Sequence, residues 1–165
     1  NLKKEPVFRK QGAWYQVSPY ALTWDDENYY MVAYDAAAEQ IKHYRVDKMA
    51  DITMTDQPQA GAEAFAALDM GVYAKKVFGM FSGQERPVKL RVANHLVGAM
   101  LDRFGKEISI VPDGDDHFTL LVNVIISPQF FGWVCAFGSD IEILEPASVQ
   151  EQFLTHLDGI QAQYQ

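Results

Sequence analysis

Tyr-, Val- and Ile-rich runs recur through the first third of the chain. VSPYALTW (17–24), YYMVAYD (29–35) and IKHYRVDKM (41–49) are separated by the polar or small connectors DDEN and AAAEQ. That succession predicts an antiparallel meander. Pro19 fits near a strand start or edge, where a missing N–H is tolerated. In the third run a period of two puts Ile41, His43, Arg45 and Asp47 on one face, and Lys42, Tyr44, Val46 and Lys48 on the other. Tyr44 and Val46 are the residues able to serve a core. Short, bent strands suit a small barrel better than a flat sheet. DITMTD (51–56) offers a further strand.

The pattern then changes. QPQAG is turn-like, and AEAFAALDMGVYAKKVF (62–78) is rich in helix formers. GMFSGQERP (79–87), punctuated by Gly79, Gly83 and Pro87, reads as a linker. Beyond it, Val88, Leu90 and Val92 alternate as a strand. Leu96, Val97, Met100, Leu101 and Phe104 form a helical stripe that Gly105 can stop. EISIVP and HFTLLVNVII are strands around the turn DGDD. Phe130, Trp133, Val134 and Phe137 recur at helical spacing, and DIEILEP is a fourth strand. Ser148-Val149-Gln150-Glu151 reads as a capping box for a last helix, whose apolar stripe is Val149, Phe153, Leu157, Ile160 and Tyr164. The order β-α-β-β-α-β is the split βαβ, ferredoxin-like pattern. The predicted class is α+β: a small barrel domain with a trailing helix over 1–78, a linker over 79–87, and a ferredoxin-like extension over 88–165. The sheet of the extension carries apolar residues on both faces, with Phe118, Leu120, Val122 and Val124 on one and Leu121 and Ile125 on the other. The second face therefore calls for a partner.

Charge adds a local contrast. The chain has 14 Lys+Arg against 22 Asp+Glu, a net charge of −8. That balance argues against broad binding to duplex DNA. Yet Lys42, Arg45 and Lys48 outweigh Asp47 in the third run, and His43 can add to the positive side. The single Cys135 excludes an internal disulfide framework, fits a reducing cytosol, and reads as a buried inert thiol. No apolar run is long enough to span a bilayer, and no signal peptide is visible. The chain opens NLKKEP without methionine, which suggests a segment upstream of residue 1.

Catalytic motifs are absent. There is no glycine-rich dinucleotide or phosphate loop, no Gly-x-Ser-x-Gly and no His-Glu-x-x-His. The cluster Asp113-Gly114-Asp115-Asp116-His117 lacks calcium-loop spacing and reads as a hairpin turn. His95 and Asp102 stand two helical turns apart, too far for an acid–base pair, and His156 falls on a polar helix face. No enzyme, metal or cofactor is expected.

The chain resembles the C-terminal part of bacterial WYL-domain transcriptional regulators. The resemblance is carried by Val17-Ser18-Pro19-Tyr20-Ala21-Leu22, Tyr29-Tyr30-Met31-Val32-Ala33-Tyr34 and His43-Tyr44-Arg45-Val46-Asp47-Lys48-Met49. It continues through Val88-Lys89-Leu90-Arg91, Asp102-Arg103-Phe104-Gly105, Phe130-Phe131-Gly132-Trp133 and Ile143-Leu144-Glu145-Pro146. The signature Trp-Tyr-Leu stands here as Tyr29-Tyr30-Met31. The resemblance implies an Sm- or SH3-like barrel followed by a WCX extension, with a helix-turn-helix domain for operator DNA that this chain lacks.

It also implies a cytoplasmic sensor that binds a nucleotide or single-stranded nucleic acid through Ser18, Tyr20, His43 and Arg45, joined by Tyr30 and Lys48. The residues themselves support one part of this, since Arg offers a planar fork for phosphate and hydroxyls can complete the shell. They leave two alternatives open: Arg45 pairs with Asp47 or with a carboxylate of the neighbouring domain, and the tyrosines Tyr20, Tyr30 and Tyr44 are barrel core. A homodimer is expected, with the extension of one subunit on the barrel of the other and Arg91 at the pocket rim. A free-standing small-barrel module that binds nucleic acid is the competing function.

Overall fold

A computed structural model describes residues 7–25, 27–68, 70, 78 and 84–165 of the chain. They fall into two compact units, one with the residues up to Trp24 and Asn28–Ala67, the other with Asp25–Glu27 and Leu68–Gln165. The fold is mixed α and β, with two antiparallel sheets.

The first unit carries β1 (Ser18–Asp25), β2 (Asn28–Asp35) and β3 (Gln40–Arg45), side by side in chain order. The β-branched and aromatic runs thus become the meander they predict. Among the described residues this sheet is open, and no closed barrel is formed. DITMTD is not a strand: Ile52 and Met54 are 75% and 98% exposed, and among the described residues no strand pairs with them. β3 is also shorter than its run of residues. It stops at Arg45, and Val46–Lys48 form a single 3-10 turn, so period-two facing does not extend to Asp47 or Lys48. Val46 is consequently exposed rather than core. A short helix, α1 (Ala62–Ala66), follows in the same unit. The rest of the predicted helix over 62–78 falls largely outside the described residues.

The second unit holds β4 (Glu85–Ala93), α2 (Val97–Phe104), β5 (Ile110–Asp113), β6 (His117–Ile125), α3 (Pro128–Cys135), β7 (Ile141–Glu145) and α4 (Ala147–Gln161). The sheet order is β5-β6-β4-β7 with antiparallel neighbours. Both the β-α-β-β-α-β succession and the central place of the first and third strands fit the split βαβ pattern. Residues 79–83 of the expected linker are outside the described residues, and Glu85–Pro87 already belong to β4. Pro87 is tolerated in this central strand because β7 pairs only with Lys89–Val92, so its missing N–H costs no bond on that side.

Alternation fills one face of the sheet with Val88, Leu90, Val92, Phe118, Leu120, Val122, Val124, Ile141 and Ile143. Met100 of α2, Phe130, Phe131 and Val134 of α3, and Val149 of α4 close over it. Ser127 caps α3 by accepting from the Phe130 N–H at 3.3 Å, and Pro128 occupies the first turn. Two expectations change here. The capping box of α4 does not form: the helix starts directly after Pro146, whose carbonyl accepts from the Val149 and Gln150 N–H groups, leaving Ser148 inside the first turn. The opposite sheet face is not apolar either. Leu121, 64% exposed, stands opposite Lys89, and Arg91 stands opposite Thr119, while Ile125 is buried.

Leu90 and Leu121 therefore separate by burial alone. Leu90→Ala should cost about 2–5 kcal/mol of stability, and Leu121→Ala about 0.5 kcal/mol or less. Urea titration followed by circular dichroism measures both.

Candidate functional site

The register of the β2–β3 hairpin places the chemistry. Asp35 ends β2 and is buried. Its Oδ1 accepts from the Ala37 and Ala38 N–H groups at 3.1 and 3.2 Å, which shapes the turn. Its Oδ2 accepts from Lys42 Nζ at 2.6 Å and, at 3.5 Å, from the Tyr44 hydroxyl. With the turn held, Tyr30 stands opposite Arg45, Val32 opposite His43 and Tyr34 opposite Ile41. These six side chains share one face, because directly paired residues in an antiparallel ladder do so. Met31, Ala33, Asp35, Lys42 and Tyr44 share the other, where Tyr15 meets the Tyr44 ring edge-on with 5.9 Å between centroids.

Three of the six sequence-predicted site residues are thus brought to one face: Tyr30, His43 and Arg45. Lys42, counted with them in the basic run, goes to the opposite face and pairs with Asp35. Ser18 and Tyr20 hold a distant segment. The Ser18 hydroxyl accepts from the Ala60 N–H at 2.9 Å, and the Tyr20 hydroxyl donates to the Ala60 carbonyl at 2.7 Å. Gln59 reaches back to the Pro19 carbonyl at 2.6 Å, and the Tyr20 ring stacks on Phe65 at 4.6 Å. Gly61, with φ of +82°, lies so close to the Tyr34 ring that a Cβ there would run into it. No local pattern signals these ties, since the partners lie about 40 residues apart.

At the end of β3, Arg45 donates through Nε and Nη2 to the two carboxylate oxygens of Asp47, at 3.0 and 2.9 Å. Its Nη2 also reaches Asn28 Oδ1 at 2.6 Å. Lys48 Nζ lies 3.0 Å from Asp47 Oδ2. The pairing of Arg45 with Asp47, one of the open alternatives, is therefore present. It arises through the 3-10 turn and not through a shared strand face. Arg91 lies on β4 with its Nε 2.6 Å from Asp113 Oδ2.

These contacts set the charge states. The hydrogen bond from Arg45, then that from Lys48, holds the Asp47 carboxyl down at about 2. The Lys42 hydrogen bond, assisted by the turn N–H groups, holds Asp35 below the usual carboxylate range against the opposing effect of burial. Burial, and then the Asp35 charge, pushes the Tyr44 hydroxyl up to about 12. Burial lowers His43, so it stands neutral at pH 7, a polar group in place of the expected extra cation. A face with one guanidinium, a neutral imidazole and a phenol can receive an anion and flank it with an aromatic ring. Among the described residues no group of three or more His, Cys, Asp or Glu could hold a metal ion, and no helix is long and apolar enough to cross a membrane.

The WYL domain model matches residues 7–54 and the WCX domain model matches residues 84–160. Among solved structures the chain is similar to proteasome accessory factor B/C (PafBC) of Arthrobacter aurescens, at 21% identity and a TM-score of 0.40, over 90% of this chain and 22% of that one. It is also similar to a CRISPR Cas-related protein, at 17% identity and a TM-score of 0.45, over 90% of this chain and 43% of that one. The chain spans less than half the length of either. No curated protein matches it.

The Asp35 network makes a signed prediction. A carboxyl whose folded pKa is depressed adds stability above its ordinary value, near 3.9, and loses it as pH falls through the lower folded value. Asp35→Asn should lower the melting temperature at pH 7, and the gap from the parent should narrow as pH falls below about 4. Tryptophan fluorescence reports it, since Trp14 and Trp24 both lie in the first unit.

Proposed function

The chain belongs to the WYL-domain family, and we propose that it is the effector-sensing and dimerising region of a bacterial DNA-binding transcriptional regulator. The effector is a nucleotide or single-stranded nucleic acid. It docks by a phosphate on Arg45, beside Tyr30 and His43 on one face of the β2–β3 pair. That juxtaposition is the observation that carries the reading. Arg is the side chain suited to forked recognition of phosphate, and a tyrosine beside it can stack on a base, which is worth about 1–3 kcal/mol where such stacking is measured.

Lys48 adds a second charge from the turn after β3. Ser18 and Tyr20 shape the first unit by anchoring Ala60, and they complete the pocket as an Sm-like barrel would present it. The region acts by binding, without catalysis, in the cytoplasm. An upstream helix-turn-helix contacts operator DNA. Two copies associate, because regulators that read paired half-sites follow operator symmetry. The WCX domain of one copy faces the WYL domain of the other and brings Arg91 to the rim.

Two measurements test this. Arg45→Ala should weaken binding of a fluorescent oligothymidylate about 10- to 100-fold and flatten its logarithmic salt dependence by about 1, while leaving the melting temperature unchanged. Salt-independent binding, or a large loss of stability, would sink the anion pocket. Light scattering at low micromolar concentration should return the mass of a dimer, and a clean monomer would refute the proposed assembly.

A further inference from the structure

The same side chain that would receive the effector already holds an anion. The Asp47 carboxylate meets the Arg45 guanidinium with two oxygens on two nitrogens, at 3.0 and 2.9 Å. This forked arrangement is also how guanidinium takes two oxygens of a phosphate. Asp47 is only two residues away, in the turn Val46–Lys48, so the pairing has a short loop to close and little entropy to lose. The pair is not sealed off, for the two side chains are 39% and 47% exposed. Lys48 shares the same carboxylate at 3.0 Å.

We propose that Asp47 is a built-in competitor for the effector: its carboxylate occupies the guanidinium edge that a phosphate takes, and docking exchanges one anion for the other. The inference rests on the reading of Arg45 as the anion receptor, and it adds a residue that sets specificity. Exchange releases Lys48 from Asp47 together with Arg45, so an incoming phosphate gains two cations. A monocarboxylate ligand offers no more charge than the Asp47 it displaces and gains nothing by exchange. A phosphate dianion does, and a nucleic-acid backbone, whose phosphodiesters carry one charge each, does so only through the summed charge of neighbouring phosphates. Discrimination by charge density follows, achieved through competition instead of extra contacts. Asn28 takes part differently. Its Oδ1 accepts from Arg45 Nη2 at 2.6 Å and can hold the guanidinium in place while the anions exchange. Because Asp47 stays ionised well below neutral pH, the competition operates throughout the physiological range.

The test uses the full chain and two probes, fluorescent oligothymidylate and inorganic phosphate, at low salt. Asp47→Asn keeps the shape and removes the charge. It should bind oligothymidylate about tenfold more tightly than the parent. Asp56→Asn deletes the same charge from another exposed position and should change affinity less than about twofold. The gain should vanish in the Arg45→Ala/Asp47→Asn double variant, because both effects pass through one guanidinium. Phosphate should compete off the oligonucleotide, and acetate at equal concentration should not. If the parent binds but Asp47→Asn binds equally or more weakly, Asp47 merely orients Arg45 and the competitor inference is overturned alone. An equal gain in Asp56→Asn overturns it too, as a general charge effect. If no variant binds either probe while all melt like the parent, the anion-site reading fails and this inference falls with it.

Discussion

One carboxylate holds the first unit in register. Asp35 is buried at the end of β2, where it accepts from two turn N–H groups and from Lys42. A buried charge without partners is costly, so all of these contacts are required together. Their combined effect is positional. A slip of one residue between β2 and β3 would send every side chain to the other face, separating Tyr30 from Arg45 and turning His43 away. The described residues of this unit bury only Val32 and Ala33 as core hydrophobics. Polar ties carry much of the specification that a larger core supplies elsewhere.

The second unit works the other way. Its strands alternate apolar side chains into a continuous core closed by three helices, and its polar contacts lie mainly outside that core. Such a unit tolerates changes on its open sheet face, where Lys89, Arg91 and Leu121 stand. It resists changes at Leu90 or Phe130. The two units thus differ in how they are held: the first buries few hydrophobic side chains among the described residues, and the second is built around a continuous apolar core.

The basic run after the second strand turns out to be divided between two carboxylates. Lys42 serves Asp35 on one face, while Arg45 and Lys48 converge on Asp47 beyond the strand. What reads along the chain as a positive patch is, in space, one ion pair on Asp35 and an ionised cluster on Asp47. His43 contributes no charge at neutral pH because burial lowers its pKa.

Much of this was legible along the chain. Tyr-, Val- and Ile-rich runs between polar connectors marked the three strands of the first unit, alternation marked strands of the second, and the β-α-β-β-α-β order emerged from those local patterns. Those signals are local: each strand or helix advertises its own buried face. The grouping of Tyr30, His43 and Arg45 was partly legible, since His43 and Arg45 share a strand face by parity. Tyr30 joined them only through the hairpin register. What tertiary structure decided was non-local or depended on where an element stops. Strand β3 ends at Arg45, so Asp47 reaches the guanidinium around a turn. Ser18 and Tyr20 meet Ala60 across some 40 residues. Among the described residues Ile52 and Met54 find no strand to pair with, and the outer sheet face of the second unit is largely polar where alternation suggested a second apolar layer. A period fixes which side of a strand a residue takes, but the partner waiting on that side is set by chain segments far away in sequence.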